Sequence, residues 1–203
     1  MTHKFWPPNG GLSEMIRKHF PKDYRGYVID VGASDGVSVN STFVLEKRDR
    51  WNVLSVEANP DYKPFLHANR TFVEICACGS EPRDEAEFHV HLNNPEAFSA
   101  LEVHRHETVI PEPGAKWKTI KVPVRTIDQL MQKWAFPRLD ALCVDTEGTE
   151  VDVLKGCDLE KWQPKVVVVE SWDETGPTHD YLLERGYKLV DTTVQNYVYL
   201  RSA

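Results

Sequence analysis

Cysteine, basic charge and long apolar runs are scarce in this 203-residue chain, and each scarcity removes a class of protein. The four cysteines, Cys76, Cys78, Cys143 and Cys157, form no CxxC pair and fall well below the density of a secreted disulfide scaffold, so packed, reduced thiols are expected. Lysine and arginine total 24 against 31 acidic residues, a formal net charge of −7, which supplies no general pull toward phosphate backbones or anionic lipid. Nucleic acid is therefore a disfavoured partner. The longest aliphatic run is the tetrad Val166–Val169, and the opening MTHKFWPPNGG lacks a basic region followed by an apolar stretch, so neither a membrane span nor a signal peptide is expected. The expectation is a soluble, cytoplasmic protein.

What is present suits one core. A content of 41% hydrophobic and 10% aromatic residues supports a single domain over 1–203 and is short for two. Leu12, Met15, Ile16 and Phe20 fall at helical spacing with Ser13 as N-cap and Pro21 as stop, a lead-in within residues 1–25. YVIDVGA, NVLSVEA and TFVEICAC read as three continuous apolar strands, with STFVLEKR a helix between the first two. EAEFHVHL and KTIKVPVRT alternate like half-exposed strands around the polar stretch 93–116, marking residues 84–125 as a β-rich insertion after the third strand. Thr126 and Gln129 form a capping box for IDQLMQKW; LDALCVD is a fourth strand, and Thr149 with Asp152 forms a cap-like pair before VDVLKG. KVVVVES is a fifth strand, HDYLLERG a helix stopped by Gly186, and YKLVDTT with NYVYLRS a closing antiparallel pair. The pattern predicts an α/β fold with a mostly parallel sheet covered by helices on both faces.

The turn after the first strand, Asp30-Val-Gly32-Ala-Ser34-Asp35-Gly36, lets backbone approach a ligand and presents helix-start N–H groups to an anion. It has neither the GxGxxG spacing that seats a pyrophosphate nor a P-loop lysine, which disfavours dinucleotides and nucleoside triphosphates. Glu57 ends the second strand about 20 residues on, where an acidic side chain accepts both hydroxyls of a ribose. A ribose at one end and a carboxylate at the other fit S-adenosylmethionine, whose amino group also needs carboxylate neighbours such as Asp30 or Asp145. Asp145, Glu147 and Glu170 converge on the carboxyl-end rim of the sheet, where such folds bind ligands. The plainer alternatives stand beside this: glycine is common in βα turns, and Glu147 and Glu150 would favour the N-terminus of the helix that follows.

VIDVGASDGVSVNS, SVEANP, VRTIDQL, DALCVDTEGTEVDVLKG, PKVVVVES and LLERGYKLV…NYVYL together resemble the FkbM-type methyltransferases over roughly residues 26–200. The block from Asp145 to Gly156 is the most specific part. The resemblance implies a Rossmann-like class I methyltransferase fold, with a seven-stranded sheet whose final strand is reversed. It also implies S-adenosylmethionine contacts at Asp30, Gly32, Ala33, Ser34 and Gly36, ribose binding at Glu57, and an adenine pocket near Ala77 and Cys78. By the same implication Asp145 and Glu147 lie where the methionine end meets the acceptor. Many members carry Asn and a small residue after Gly-Ala; here Ser34-Asp35 occupies that turn, placing an extra carboxylate beside the expected ligand.

The reaction implied is O-methylation of a sugar or other small molecule, in which the protein aligns the reactants and takes a proton from a hydroxyl. A divalent metal such as magnesium, held by Asp145 and Glu170, is one way to weaken that proton. His89-x-His91 and His104-x-His106 are spaced for one strand face each, and His104 or His106 is the expected general base. Trp172 and Phe98, with Asn93 and Asn94, would form an acceptor wall of aromatic face and polar edge. The insertion is expected near that acceptor. Three other readings remain at this level: a noncatalytic cofactor-binding scaffold, an NAD-dependent oxidoreductase permitted by Glu57, and an RNA methyltransferase requiring a basic groove. Sequence leaves the oligomeric state open.

Overall fold

Five apolar strands have two faces each to bury, and they do so by lying side by side between helices. The computed structural model describes residues 11–38, 40–93, 99–101, 114, 116–171, 176–193 and 195–202. In chain order its strands are β1 (Tyr27–Val31), β2 (Asn52–Glu57), β3 (Phe72–Ile75), β4 (Ala77–Cys78), β5 (Arg83–His91), β6 (Trp117–Arg125), β7 (Ala141–Val144), β8 (Val166–Glu170), β9 (Tyr187–Thr192) and β10 (Asn196–Arg201). Its helices are α1 (Leu12–Arg17), α2 (Phe43–Lys47), α3 (Lys63–Asn69), α4 (Ile127–Lys133), α5 (Glu150–Lys155), α6 (Leu159–Trp162) and α7 (Pro177–Leu183), with a 3₁₀ turn at Pro60–Tyr62.

Seven strands form one sheet in the order β3-β2-β1-β7-β8-β10-β9. The first five are parallel, and β10 runs antiparallel to both its neighbours. Strand order reverses between β1 and β7, the switch point at which open parallel sheets leave a crevice. Register then sets the rim: Val31 lies opposite Val56 and Val144, and Val144 opposite Val169. The next residues, Gly32, Glu57, Asp145 and Glu170, therefore lie at one level at the carboxyl end of the sheet.

Alternation sends Ile29, Val31, Leu54, Val56, Leu142 and Val144 to one face, packed under Ile127, Leu130, Val153, Leu154 and Leu182 of α4, α5 and α7. Val28, Val53, Cys143, Val166 and Val168 take the other face, under Leu12, Ile16 and Leu45 of α1 and α2. Burying an aliphatic side chain of this kind contributes about 1.5–3 kcal/mol. Sheet cohesion therefore follows directly from these runs.

Three local expectations need correction. TFVEICAC is not one strand: β3 ends at Ile75, and β4 pairs in parallel with β6 in a separate three-stranded sheet of order β4-β6-β5. Apolarity continues across Cys76 because both sheets bury their faces there, so the hydrophobic run hides the break. Ser13 does not cap α1: Gly11 holds that position, and the Ser13 hydroxyl donates to the Ser41 carbonyl at 2.6 Å, tying α1 to the loop before α2. The Thr149 side chain makes no cap bond to α5, and Asp152 instead accepts from the Ser80 backbone at 3.2 Å. The Thr126–Gln129 capping box forms as expected, and Gly186 follows α7 with a φ of +77°. No helix among the described residues is long and apolar enough to cross a membrane.

Candidate functional site

The crevice beside the switch point is a cleft of about 600 Å³. Its floor comes from Val31 and Val56, one side from Gly32, Ser34 and Glu57, and its apolar end from Tyr62, Cys76, Ala77, Cys78 and Phe88. Asp145, Thr146, Glu147 and Thr149 close the opposite end. Ser99 and Leu101 also line it, and Phe88 packs with Ala77, Val90, Val122 and Val124. The described part of the insertion thus stands at the Ala77–Cys78 end.

The glycine turn has this shape for a steric reason. Gly32 has a φ of +85°, and a Cβ there would run into the Asp145 backbone carbonyl, so the two chains touch with no side chain between them. Asp35 turns away from the cleft: its Oδ1 accepts from the Val37 and Ser38 backbone N–H groups at 2.8 and 2.7 Å. The extra carboxylate is therefore a local cap of the turn. Ala33 is buried with Leu66 and Val73, and Gly36 lies against Leu66 and Arg70, so neither lines the cleft.

Asp30 stands on the other sheet face, within a buried polar network. Its Oδ2 accepts from Asn40 Nδ2 at 2.9 Å and from the Thr42 hydroxyl at 2.7 Å. The fully buried Arg70 side chain donates to the Gly36 carbonyl at 3.0 Å, Asn40 Oδ1 at 2.9 Å and Thr42 Oγ1 at 2.7 Å, and pairs with Glu46 at 2.6 Å. This arginine holds the far side of the glycine turn. Sequence reading missed it: Arg70 is one charge at a helix–strand junction, and its partners lie 24 to 34 residues away without periodicity.

Glu57 is buried yet faces the cleft. Its Oε2 accepts from the Ser34 N–H at 2.8 Å and its Oε1 from the Asn59 N–H at 2.7 Å. Burial raises its pKa, and the backbone N–H groups of Asn59, Ser34 and Ala58 oppose that rise. A carboxylate has about four lone-pair directions, so room for a further donor remains.

Asp145, Glu147 and Glu170 offer oxygens that lie within 4.8 Å of one another. Burial pushes Asp145 well above the usual carboxylate range, and the charge of Glu170 adds to it. Burial, then the charges of Asp145 and Glu150, lifts Glu147 to about 9. Glu170 is raised to about 7 by burial, reinforced by Glu147 and Glu150, while its bond from Asp145 acts the other way. The pair is coherent if Asp145 keeps a proton and donates it to Glu170. Glu147 sits at a φ of +58°, a conformation side chains rarely adopt. Glu150 holds the backbone around it, its Oε1 accepting from the N–H groups of Thr146 at 3.1 Å and Gly148 at 2.9 Å.

Of the remaining expected residues, His89 bonds Thr119 at 3.0 Å and His91 packs edge-on against Trp117; neither lines the cleft, although the His91 backbone N–H donates at 3.1 Å to the hydroxyl of Ser99, which does. Asn93 is exposed beyond β5. His104, His106, Asn94, Phe98 and Trp172 lie outside the described residues.

A sheet in this order with a reversed strand inserted near one edge, and a glycine turn and acidic strand end at its switch point, defines a Rossmann-like class I methyltransferase fold. Residues 30–189 match the methyltransferase FkbM domain, and the chain belongs to that family. A curated relative, methyltransferase sdnD of Sordaria araneosa, is 50% identical over 50 residues, covering 23% of this chain and 19% of that protein. The solved methyltransferase FkbM from Methylobacillus flagellatus KT superposes with a TM-score of 0.52 at 16% identity, over 87% of this chain and 43% of that one. That likeness is one of fold. The chain spans about a fifth of the curated relative and less than half of the solved one.

Proposed function

We propose that the protein transfers a methyl group from S-adenosylmethionine to a hydroxyl of a sugar or other small molecule, with residues 1–203 acting as one methyltransferase domain. The observation that carries this reading is a cleft with an apolar end, Gly32, Ser34 and Glu57 along its side, and Asp145 and Glu147 at the far end with Glu170 beside them. Its lining residues suit the cofactor. Cys76, Ala77, Cys78, Tyr62 and Phe88 would enclose the adenine, and the remaining acceptor capacity of Glu57 suits a ribose hydroxyl. The Gly32 turn and Ser34 would meet the amino-acid end. Bound there, S-adenosylmethionine supplies an activated methyl on a positive sulfur.

The chain's own contribution is alignment and proton removal. A carboxylate with a pKa of about 7, as at Glu170, is a stronger base than an ordinary one and is still substantially ionised near neutral pH, which suits it to an alcohol proton. As the acceptor oxygen takes the methyl carbon, sulfur keeps the electron pair of the broken bond and the hydroxyl proton passes to Glu170. This role needs no cation, so the magnesium expected at Asp145 and Glu170 enters no step.

The test is calorimetric titration with S-adenosylhomocysteine and, separately, NAD, repeated on Glu57→Gln. The homocysteine nucleoside should bind, NAD should not, and the variant should bind about 10- to 100-fold more weakly, as expected for hydrogen bonds to a charged group. Absence of nucleoside binding would leave only the fold.

A further inference from the structure

The apolar end of the cleft carries two thiols. Cys76 sits in the bend between β3 and β4 and Cys78 in β4, and both line the cleft. They point the same way: both belong to the core on the α4–α5 face of the large sheet, whereas Ala77 between them packs with Phe88 in the small one. Two strand steps of about 3.3 Å put their Cα atoms roughly 6.6 Å apart in an extended chain, within the ~4.4–6.8 Å that a disulfide spans, and the bend at Cys76 shortens that span. The thiols also meet. Hydrogen bonding to Cys76 is the first cause, ahead of burial, that pushes the Cys78 thiol well above its ordinary range. Cys143 and Cys157 are likewise free and buried, but neither lines the cleft.

Access decides the chemistry. Cys76 and Cys78 are 1% and 2% exposed, so the cleft is the route by which an oxidant reaches them, and a nucleoside seated there would close it. A narrow approach favours a small peroxide over a bulky disulfide such as oxidised glutathione.

We infer that Cys76 and Cys78 form a peroxide-sensitive modification site, closing to a disulfide when the cleft is empty and weakening nucleoside binding until reduced. The inference rests on the methyltransferase reading for its ligand and adds a regulation of the same cleft.

Cys78 holds its proton at neutral pH, so Cys76 is the sulfur that attacks. Its electron pair forms an S–O bond to one peroxide oxygen as the O–O bond breaks, and one water leaves, giving a sulfenic acid. The Cys78 sulfur then forms the S–S bond, and the hydroxyl departs with the Cys78 proton as a second water. Two thiols are oxidised and one peroxide is reduced. Both cysteines are tied to neighbouring chain: the Cys76 N–H donates to the Glu57 carbonyl at 3.0 Å, and Cys78 pairs with Arg125 of β6. Closure therefore draws the Glu57 strand end and β4 together across the wall that would hold adenine.

The experiment treats the full chain with hydrogen peroxide, with and without S-adenosylhomocysteine, and reads thiols and affinity. Thiol titration in denaturant should fall from four groups to two, reversed by dithiothreitol. Mass spectrometry should place the bond in the tryptic peptide 71–83, which holds both cysteines. The oxidised protein should bind S-adenosylhomocysteine about tenfold more weakly in calorimetry. Nucleoside at about 100 times its Kd should slow oxidation roughly 100-fold, in proportion to the empty fraction. Cys76→Ala and Cys78→Ala should each keep their affinity within about twofold through the same treatment, and using both guards against one misfolding. Three results would overturn the inference: peptide 71–83 never carries the bond, whatever happens at Cys143 or Cys157; the bond forms and affinity holds within about twofold; or bound nucleoside fails to slow its formation. Nucleoside that does not bind the reduced wild-type protein would sink the methyltransferase reading and this inference with it, whereas binding without a disulfide sinks this inference alone.

Discussion

Replacing Glu170 with Gln should alter how stability depends on pH more than stability in acid. Burial, with the charges of Glu147 and Glu150, raises this carboxyl from 4.5 to about 7 against the opposing Asp145 bond. Between those values the folded protein keeps a proton that the unfolded chain has released, so rising pH favours unfolding. The carboxyl imposes no penalty below about 4.5 and its full penalty above about 7. At about 1.4 kcal/mol per pH unit, the wild-type protein loses about 3 kcal/mol through this group across that span. Gln has no proton to release. Its advantage over wild type should therefore widen by about 2–3 kcal/mol between pH 5 and pH 8, most of it below pH 7. Removing one charge from the cluster also relieves Glu147, which acts in the same direction. Urea unfolding at pH 5, 6, 7 and 8, at fixed ionic strength and with m constant, reads the difference directly. Parallel stability curves would refute the reasoning; a variant that loses ground as pH rises would mean that folded Glu170 is held by a positive charge.

Two further substitutions probe the frame of the site. Arg70→Met leaves Asp30 and Glu46 buried without their cation and should destabilise the protein by about 3–5 kcal/mol in chemical denaturation, with Arg70→Lys intermediate because one ammonium cannot span Gly36, Asn40, Thr42 and Glu46. A Met variant within about 1 kcal/mol of wild type would show that the network is dispensable. Gly32→Ala combines a positive φ with overlap on the Asp145 carbonyl, whereas Gly186→Ala has a similar φ and open space. The control should lose about 1–2 kcal/mol and Gly32→Ala clearly more, together with S-adenosylhomocysteine binding; equal losses in thermal and denaturant melts would remove the case for a close approach.

The sheet was legible because its strands are apolar on both faces and stop where a charged or glycine residue begins. Val31-Gly32, Val56-Glu57, Val144-Asp145 and Val169-Glu170 mark the rim in sequence as they do in space. The capping box at Thr126 was legible for a related reason, since both its bonds close within four residues. The interior of the site was not. Asp30, read as a ligand contact because it precedes the glycines, alternates onto the opposite face and is bound by residues 10 and 12 positions on. Cys76 hides a change of sheet because burial on both sides preserves the apolar pattern. Phe88, Ser99 and Leu101 reach the cleft only because the small sheet folds back beside β4, a long-range pairing that no local spacing encodes.

The electrostatics of the cluster bear on the order of events in the proposed reaction. Asp145, Glu147 and Glu170 hold protons to unusually high pH because burial is reinforced by the carboxylate charges of one another and of Glu150. A positive charge brought beside them reverses that balance and draws protons off, while its disappearance restores it. Methyl transfer removes such a charge at the moment an acceptor hydroxyl must release its proton. Ionised carboxylates are thus ready before the step and proton-seeking after it, with no change in their positions. The same logic sets a preference among ligands: the cluster should favour the cationic methyl donor over its neutral demethylated product most strongly above about pH 7, where Glu170 is ionised without help. An affinity ratio between the two nucleosides that stays flat from pH 6 to pH 8 would separate the cluster from the methyl-transfer end of the cleft.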